Sequence, residues 1–310
     1  MKLALAPLQT YTDHHYRNAH VRVYGGVDTF YAPYLRMNND GTIKAGPKID
    51  IIPANNLVPV IPQLMCCCVE DFFVLHDYIV SLGYNEVNWN MGCPYPMVTN
   101  KGLGAGVLNK PELLREWLDT IFPKLKLKLG IKMRMGMRST DEIHTLIPIL
   151  NEYELTEVII HARYAEQLYN GGCDIEQFNQ AAASLNHVLT YNGDITSIEA
   201  FNSISESVKP IERFMIGRGA INNPAIFQEI KSSEMLDSKT YREKLITFSR
   251  LIEDSCMTSN NNDGYALMRL KSYWEAFSEE LTEGKVVYRK LKKVTSLKEF
   301  WELLDRGIVY

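Results

Sequence analysis

One pattern recurs through the first two thirds of this 310-residue chain: a short apolar, β-rich run, a polar or glycine-bearing turn, then a helical stretch. The apolar runs fall at residues 2–8, 27–35, 58–64, 86–90, 130–134, 157–162, 188–192 and 213–217, with amphipathic helical segments such as 70–82 and 111–122 between them. Continuous apolar strands that alternate with helices specify a parallel sheet covered on its outer face. Eight of them is the number that closes a (β/α)8 barrel. An open doubly wound sheet would carry a GxGxxG turn after its first strand, whereas this strand runs into Pro7-Leu8-Gln9-Thr10. The expected class is therefore α/β, a (β/α)8 TIM barrel over residues 1–235. After Phe227 the alternation stops, and the remaining chain is polar, charged and helical. Tyr273, Trp274, Phe277 and Trp301 are spaced there for one packed face, so residues 236–310 read as a small C-terminal helical domain.

No apolar run approaches the ~20 residues that cross a bilayer, and the apolar start of the chain is stopped by Pro7, which suits a first strand better than a signal peptide. The six cysteines include three neighbours, Cys66, Cys67 and Cys68, and none has the spacing of a zinc site. Reduced thiols in a cytoplasmic protein without a metal are expected, and nothing demands more than a monomer. A net charge of −4 gives no broad basic footprint for nucleic acid. Local clusters stand against that balance: Lys124, Lys126 and Lys128, and the group Arg289, Lys290, Lys292 and Lys293.

In a barrel of this type the chemistry sits at the C-terminal ends of the strands. The fourth run ends in Asn90-Met91-Gly92-Cys93-Pro94, a tight turn that presents a thiol at the rim. The fifth carries Lys132 and Arg134 on one face by strand alternation, and the sixth carries His161 and Arg163. Buried charge of this kind calls for a ligand. The seventh and eighth runs end in Asn192-Gly193-Asp194 and Gly217-Arg218-Gly219-Ala220, glycine turns where barrels cradle phosphate. With no metal cluster and no nucleophile–base pair, flavin mononucleotide (FMN) suits the site. Lys132 would stabilise the anionic reduced ring.

This ordered series resembles the tRNA-dihydrouridine synthases of the short bacterial type. The resemblance runs through Ala6-Pro7-Leu8 with Thr12, Asp13 and Arg17, Gln63, the Asn90–Pro94 signature, the Lys101-Gly102-Leu103-Gly104-Ala105 loop and the strand-end motifs above. It continues more loosely into Arg269-Leu270-Lys271 before Trp274. The chain departs from the family pattern at Asn88, Cys66 and Leu8, and in Gln9-Thr10-Tyr11, which replaces a glycine-containing turn.

The resemblance implies a flavin oxidoreductase in which NADPH reduces FMN and hydride passes to C6 of a D-loop uracil in tRNA. Cys93 would protonate C5 as the general acid. It assigns flavin contacts to Ala6, Pro7, Leu8, Gln63, Lys132, His161, Asn192, Gly193, Asp194, Gly217, Arg218 and Gly219. It assigns substrate contacts to Asn90, Lys101, Arg134 and Arg163, with His161 shared, and places Arg269 and Lys271 against the tRNA backbone. The uridine would have to be extruded from the folded tRNA to reach the barrel mouth. Two other readings compete: a barrel flavoenzyme that reduces a free pyrimidine or other small molecule, and a non-catalytic RNA-binding protein on the same scaffold.

Overall fold

The computed structural model describes residues 1–208, 210–260 and 262–307. Its strands are β1 (Lys2–Leu5), β2 (Thr29–Tyr31), β3 (Val60–Ile61), β4 (Gln63–Leu64), β5 (Glu86–Met91), β6 (Lys128–Gly136), β7 (Leu155–Tyr164), β8 (Leu189–Asn192) and β9 (Arg213–Ile216). All pairings are parallel, in the order β3-β2-β1-β9-β8-β7-β6-β5-β4. The eight expected runs are all present, and the ninth strand arises at Pro62. Proline lacks the N–H that a ladder needs, so it divides one run into two. β3 pairs with β2 and β4 with β5. The ring closes where Leu35 N donates to Gln63 O at 2.7 Å and Met65 N donates to Leu35 O at 2.9 Å.

Helices pack around the barrel, and most of the apolar core lies between them and the strands. The barrel interior is thinner and partly polar. Ala4, Ala6, Tyr31, Ile159 and Met215 form a small apolar cluster. Beside it, Tyr31 donates its hydroxyl to Glu157, which also accepts from Thr190 Oγ1 at 2.5 Å.

The C-terminal stretch is helical, as Ser238–Asn260, Asp263–Phe277, Gly284–Leu291 and Leu297–Gly307; of the helical domain expected to run to Tyr310, Asn261 and residues 308–310 lie outside the described residues. The four aromatics singled out from spacing are all buried. The first of these helices packs on the first barrel helix, His14–Val23, with Phe248 edge-on to Tyr16 at 5.1 Å. No described helix is long and apolar enough to cross a membrane.

Candidate active site

β5 ends at Met91, and the turn beyond it is shaped by Asn90. Its Oδ1 accepts from Gly92 N and Cys93 N, each at 3.0 Å, while its Nδ2 donates to Gln63 Oε1 at 2.8 Å. Gln63 Nε2 in turn donates to Asn88 Oδ1 at 2.7 Å. A buried amide rail thus crosses from β4 to β5 and fixes the thiol-bearing turn. Gly104 backs it from outside: at φ +56, a Cβ there would lie 2.7 Å from Cys93 O, and Ala105 N donates to that same oxygen at 3.0 Å. Only glycine admits this approach. Cys93 itself is half-buried. Burial raises its thiol pKa, against opposing pulls from the Tyr95 backbone, Arg134, Lys132 and the Tyr34 hydroxyl. The thiol therefore stays protonated at neutral pH.

Strand register brings the remaining groups level: Asn90 pairs with Lys132 across β5 and β6, and Arg134, His161 and Asn192 pair in a row across β6, β7 and β8. Lys132 Nζ donates to Asn192 Oδ1 at 2.9 Å, and Asn192 Nδ2 donates to Met215 O at 2.8 Å. Desolvation, reinforced by Arg134, pulls the Lys132 ammonium down to about 8. Arg134 is buried and donates to the carbonyls of Tyr164 (2.8 Å) and Leu168 (2.6 Å). Among the described residues no carboxylate pairs with either cation. His161 is held well below its ordinary pKa by burial and by Arg134 and Lys132, so it is a neutral imidazole.

Arg163, expected among the substrate contacts, makes several bonds within the protein. Its guanidinium grips Asp194 with two bonds, Nη1 to Oδ1 at 2.9 Å and Nη2 to Oδ2 at 2.6 Å, and also donates to Gly171 O and Cys173 Sγ. Its Nη1 also lies 3.2 Å from His161 Nε2, so the guanidinium ties the rim loops to the β7 histidine. Asp194 stands at φ +47 and also meets Arg218 at 3.3 Å. The Arg218 guanidinium lies 4.1 Å from the Tyr169 ring centroid, and that of Arg134 lies 5.3 Å from it. Tyr169 escaped the sequence reading because no strand or helix period marks a residue on a loop, and Tyr34, inside the run 27–35, lies beyond the end of β2 at Tyr31.

Ala6, Pro7 and Leu8 follow β1 beside Gly217, whose missing Cβ would sit 3.5 Å from Ala6 Cβ. The glycines of the two rim loops are required by contacts within the protein itself. A Cβ on Gly193 would overlap Cys173 Sγ, and one on Gly219 would overlap Ile195 O, so the protein already fills both spaces. Lys101 is exposed at the edge of the glycine-bearing loop.

Arg269 and Lys271, expected against the tRNA backbone, are both engaged within the protein. Arg269 is buried and ion-paired with Asp13, and Lys271 Nζ donates to the carbonyls of Lys292 (3.1 Å) and Val294 (2.6 Å). Both cations bond to elements distant in sequence, Arg269 to the turn after β1 and the cap of the first barrel helix, Lys271 to the chain just beyond Gly284–Leu291.

The family model described as dihydrouridine synthase (Dus) matches residues 4–308. A tRNA-dihydrouridine(16) synthase from Neisseria meningitidis serogroup B is 24% identical over 98% of this chain and 93% of its own length. A probable tRNA-dihydrouridine synthase 1 from Synechocystis is 24% identical over 98% of this chain and 85% of its own. Among solved structures, morphinone reductase matches with a TM-score of 0.51 at 11% identity, over 77% of this chain and 88% of that one, which speaks to the fold alone.

Proposed function

Because the chain belongs to the dihydrouridine synthase family, we propose that it reduces a D-loop uridine of tRNA to 5,6-dihydrouridine with FMN as cofactor and NADPH as reductant. The observation that carries this reading is the uncompensated positive charge at the barrel mouth. Lys132 is bonded to a neutral amide and Arg134 to two carbonyls, with neither facing a carboxylate among the described residues. Asp194 is already shared by Arg163 and Arg218. Cations taken from water without a counter-charge are costly, and an anionic ligand offsets that cost. A phosphorylated flavin meets the requirement, and the rim loops at Asn192–Asp194 and Gly217–Gly219, with Ala6–Leu8 opposite, are the residues that would hold it.

Bound there, FMN would supply the hydride that uracil receives at C6. Cys93 holds the proton for C5: its pKa is raised by burial, so the proton is present at neutral pH, and the Asn90 turn aims the thiol from the rim. Neutral His161 contributes a hydrogen-bonding group without adding to the charge at the mouth. Lys132 keeps a cation at the β6 end, and Arg134 pins the Tyr164–Leu168 stretch that brings Tyr169 over the mouth. Residues 1–235 form the catalytic barrel on this reading, and 236–310 the helical domain that meets tRNA through phosphate and shape. The exposed group Arg289, Lys290, Lys292 and Lys293 is the tRNA-facing surface there, since none of the four is ion-paired among the described residues.

Incubation of the purified protein with NADPH and unmodified tRNA tests the reading. Dihydrouridine should form in the D-loop, while free uracil and orotate should remain unreduced. Turnover of the free bases alone would replace it with the small-molecule reductase.

A further inference from the structure

We propose that Arg269 and Tyr273, from the helix Asp263–Phe277, are positioning residues of the flavin pocket that clamp the turn following β1 into its working shape. The proposal rests on the FMN reading above.

β1 delivers Ala6-Pro7-Leu8 to the mouth, and the chain then turns tightly through residues 8–12. Thr12 Oγ1 donates to Ala6 O at 2.9 Å and accepts from Leu8 N at 2.7 Å, while Tyr11 N and Thr12 N both donate to Leu8 O. At the apex Thr10 stands at φ +69. A β-branched residue in the left-handed region is held against its own preference, and glycine is the residue that adopts it freely. The turn contains no glycine, so something outside it must impose the conformation.

Three consecutive carbonyls of the turn are each taken by a buried side chain. Thr10 O accepts from Arg269 Nη1, Tyr11 O accepts from the Tyr273 hydroxyl at 2.5 Å, and Thr12 O accepts from Arg17 Nη1 at 2.6 Å. The first two donors come from the far end of the chain. They are joined to each other, since Arg269 Nη2 donates to Tyr273 Oη at 2.5 Å and also to the Asp13 carboxylate that caps the first barrel helix. Asp13 and Arg269 thus form a buried pair in which desolvation raises the Asp13 pKa against the pull of Arg269, and Tyr273 is fully buried. Contacts that only docked one layer of helices on another would not need to read successive carbonyls of one strained turn. The backbone beside the flavin is therefore held by the C-terminal helices as well as by the barrel.

The test compares holoenzymes for flavin dissociation constant, visible flavin spectrum and Tm. Tyr273→Phe keeps the ring and removes the hydroxyl, and Arg269→Lys keeps the charge toward Asp13 but loses the fork. Each should weaken FMN binding by about five-fold or more, as for loss of a buried hydrogen bond, and shift the flavin spectrum. Trp274→Phe is the control: it breaks the Trp274 Nε1–Ser249 Oγ bond of 3.1 Å inside the helical layer without touching the turn. It should lower Tm and leave flavin affinity unchanged. Adding Thr10→Gly to Tyr273→Phe should restore flavin binding, because glycine holds the left-handed apex unaided. Undiminished FMN affinity in the two clamp variants, equal flavin loss in Trp274→Phe, or no rescue by Thr10→Gly would each overturn the clamp. A wild-type protein that takes no FMN would instead overturn the cofactor reading itself.

Discussion

Asn90 Oδ1 accepts the N–H groups of both Gly92 and Cys93 at 3.0 Å, so one side chain sets the turn that carries the thiol at the end of β5. Asn90 thereby sets where Cys93 points, in addition to the uracil contact expected of it.

Cys93→Ala should leave flavin reduction by NADPH intact and slow tRNA-dependent flavin reoxidation by roughly 10²–10⁴-fold, the usual contribution of a placed general acid. Asn90→Ala should give a smaller loss in the same step, because the thiol remains but is no longer aimed. Stopped-flow reoxidation with unmodified tRNA reads both. Reoxidation by Cys93→Ala at the wild-type rate would reduce the thiol to a turn residue.

The alkaline limb of activity should belong to Lys132. Desolvation lowers its pKa to about 8, while burial raises the Cys93 thiol above its ordinary value. Turnover should therefore fall as pH climbs through about 8, where the ammonium discharges before the thiol does. For stability the sign is opposite. Between about 8 and the ordinary 10.5 the unfolded chain binds the extra proton, so raising pH relieves the cost of burying this cation. Lys132→Arg stays charged and should carry activity, even if reduced, without that limb. A rate–pH profile of Lys132→Arg that bends at the same pH would assign the limb elsewhere.

Gly193 and Gly219 should be intolerant of substitution with or without flavin. A side chain on Gly219 meets the fixed Ile195 carbonyl, so Gly219→Ala should cost at least about 2 kcal/mol through overpacking. At Gly193 the obstacle is the Cys173 thiol, which can be removed. Cys173→Ala should therefore recover part of the stability lost in Gly193→Ala, the remainder reflecting its φ of +146. Denaturant midpoints of the apoproteins measure this directly. Wild-type stability in Gly219→Ala would mean that the loop can move aside.

Binding of tRNA should depend on the exposed C-terminal cations. The double change Lys290→Glu with Lys293→Glu should weaken binding and flatten the slope of log K against log salt by about 0.7–0.9 for each phosphate that is no longer neutralised. Flavin content and NADPH oxidation should stay at wild-type levels. An unchanged salt slope would move the tRNA surface to another face of the protein.

The architecture was legible because its signal is local. Each strand needs an apolar run and each crossover an amphipathic stretch, and both periods can be read within a dozen residues. The same locality explains why Cys93, Lys132, Arg134, His161 and Asn192 could be named as strand-end groups: alternation assigns their face, and parallel register then brings them level. Pro62 also acts locally, yet its effect did not follow from the run alone, because two neighbouring strands decide which half each pairs with.

Partnership, by contrast, was decided by the folded chain. Arg163 and Asp194 are 31 residues apart, and Arg269 and Asp13 are 256 apart. Nothing in the spacing of Arg269-Leu270-Lys271 shows which side of the helix faces the barrel. Only packing reveals that Arg269 turns inward to Asp13 and that Lys271 ties off the end of the next helix. A cation's type can be read from the chain, but whether it is free for a ligand depends on which carboxylates and carbonyls reach it. Those arrive from distant elements, so for Arg163, Arg269 and Lys271 the tertiary contacts determined the partners.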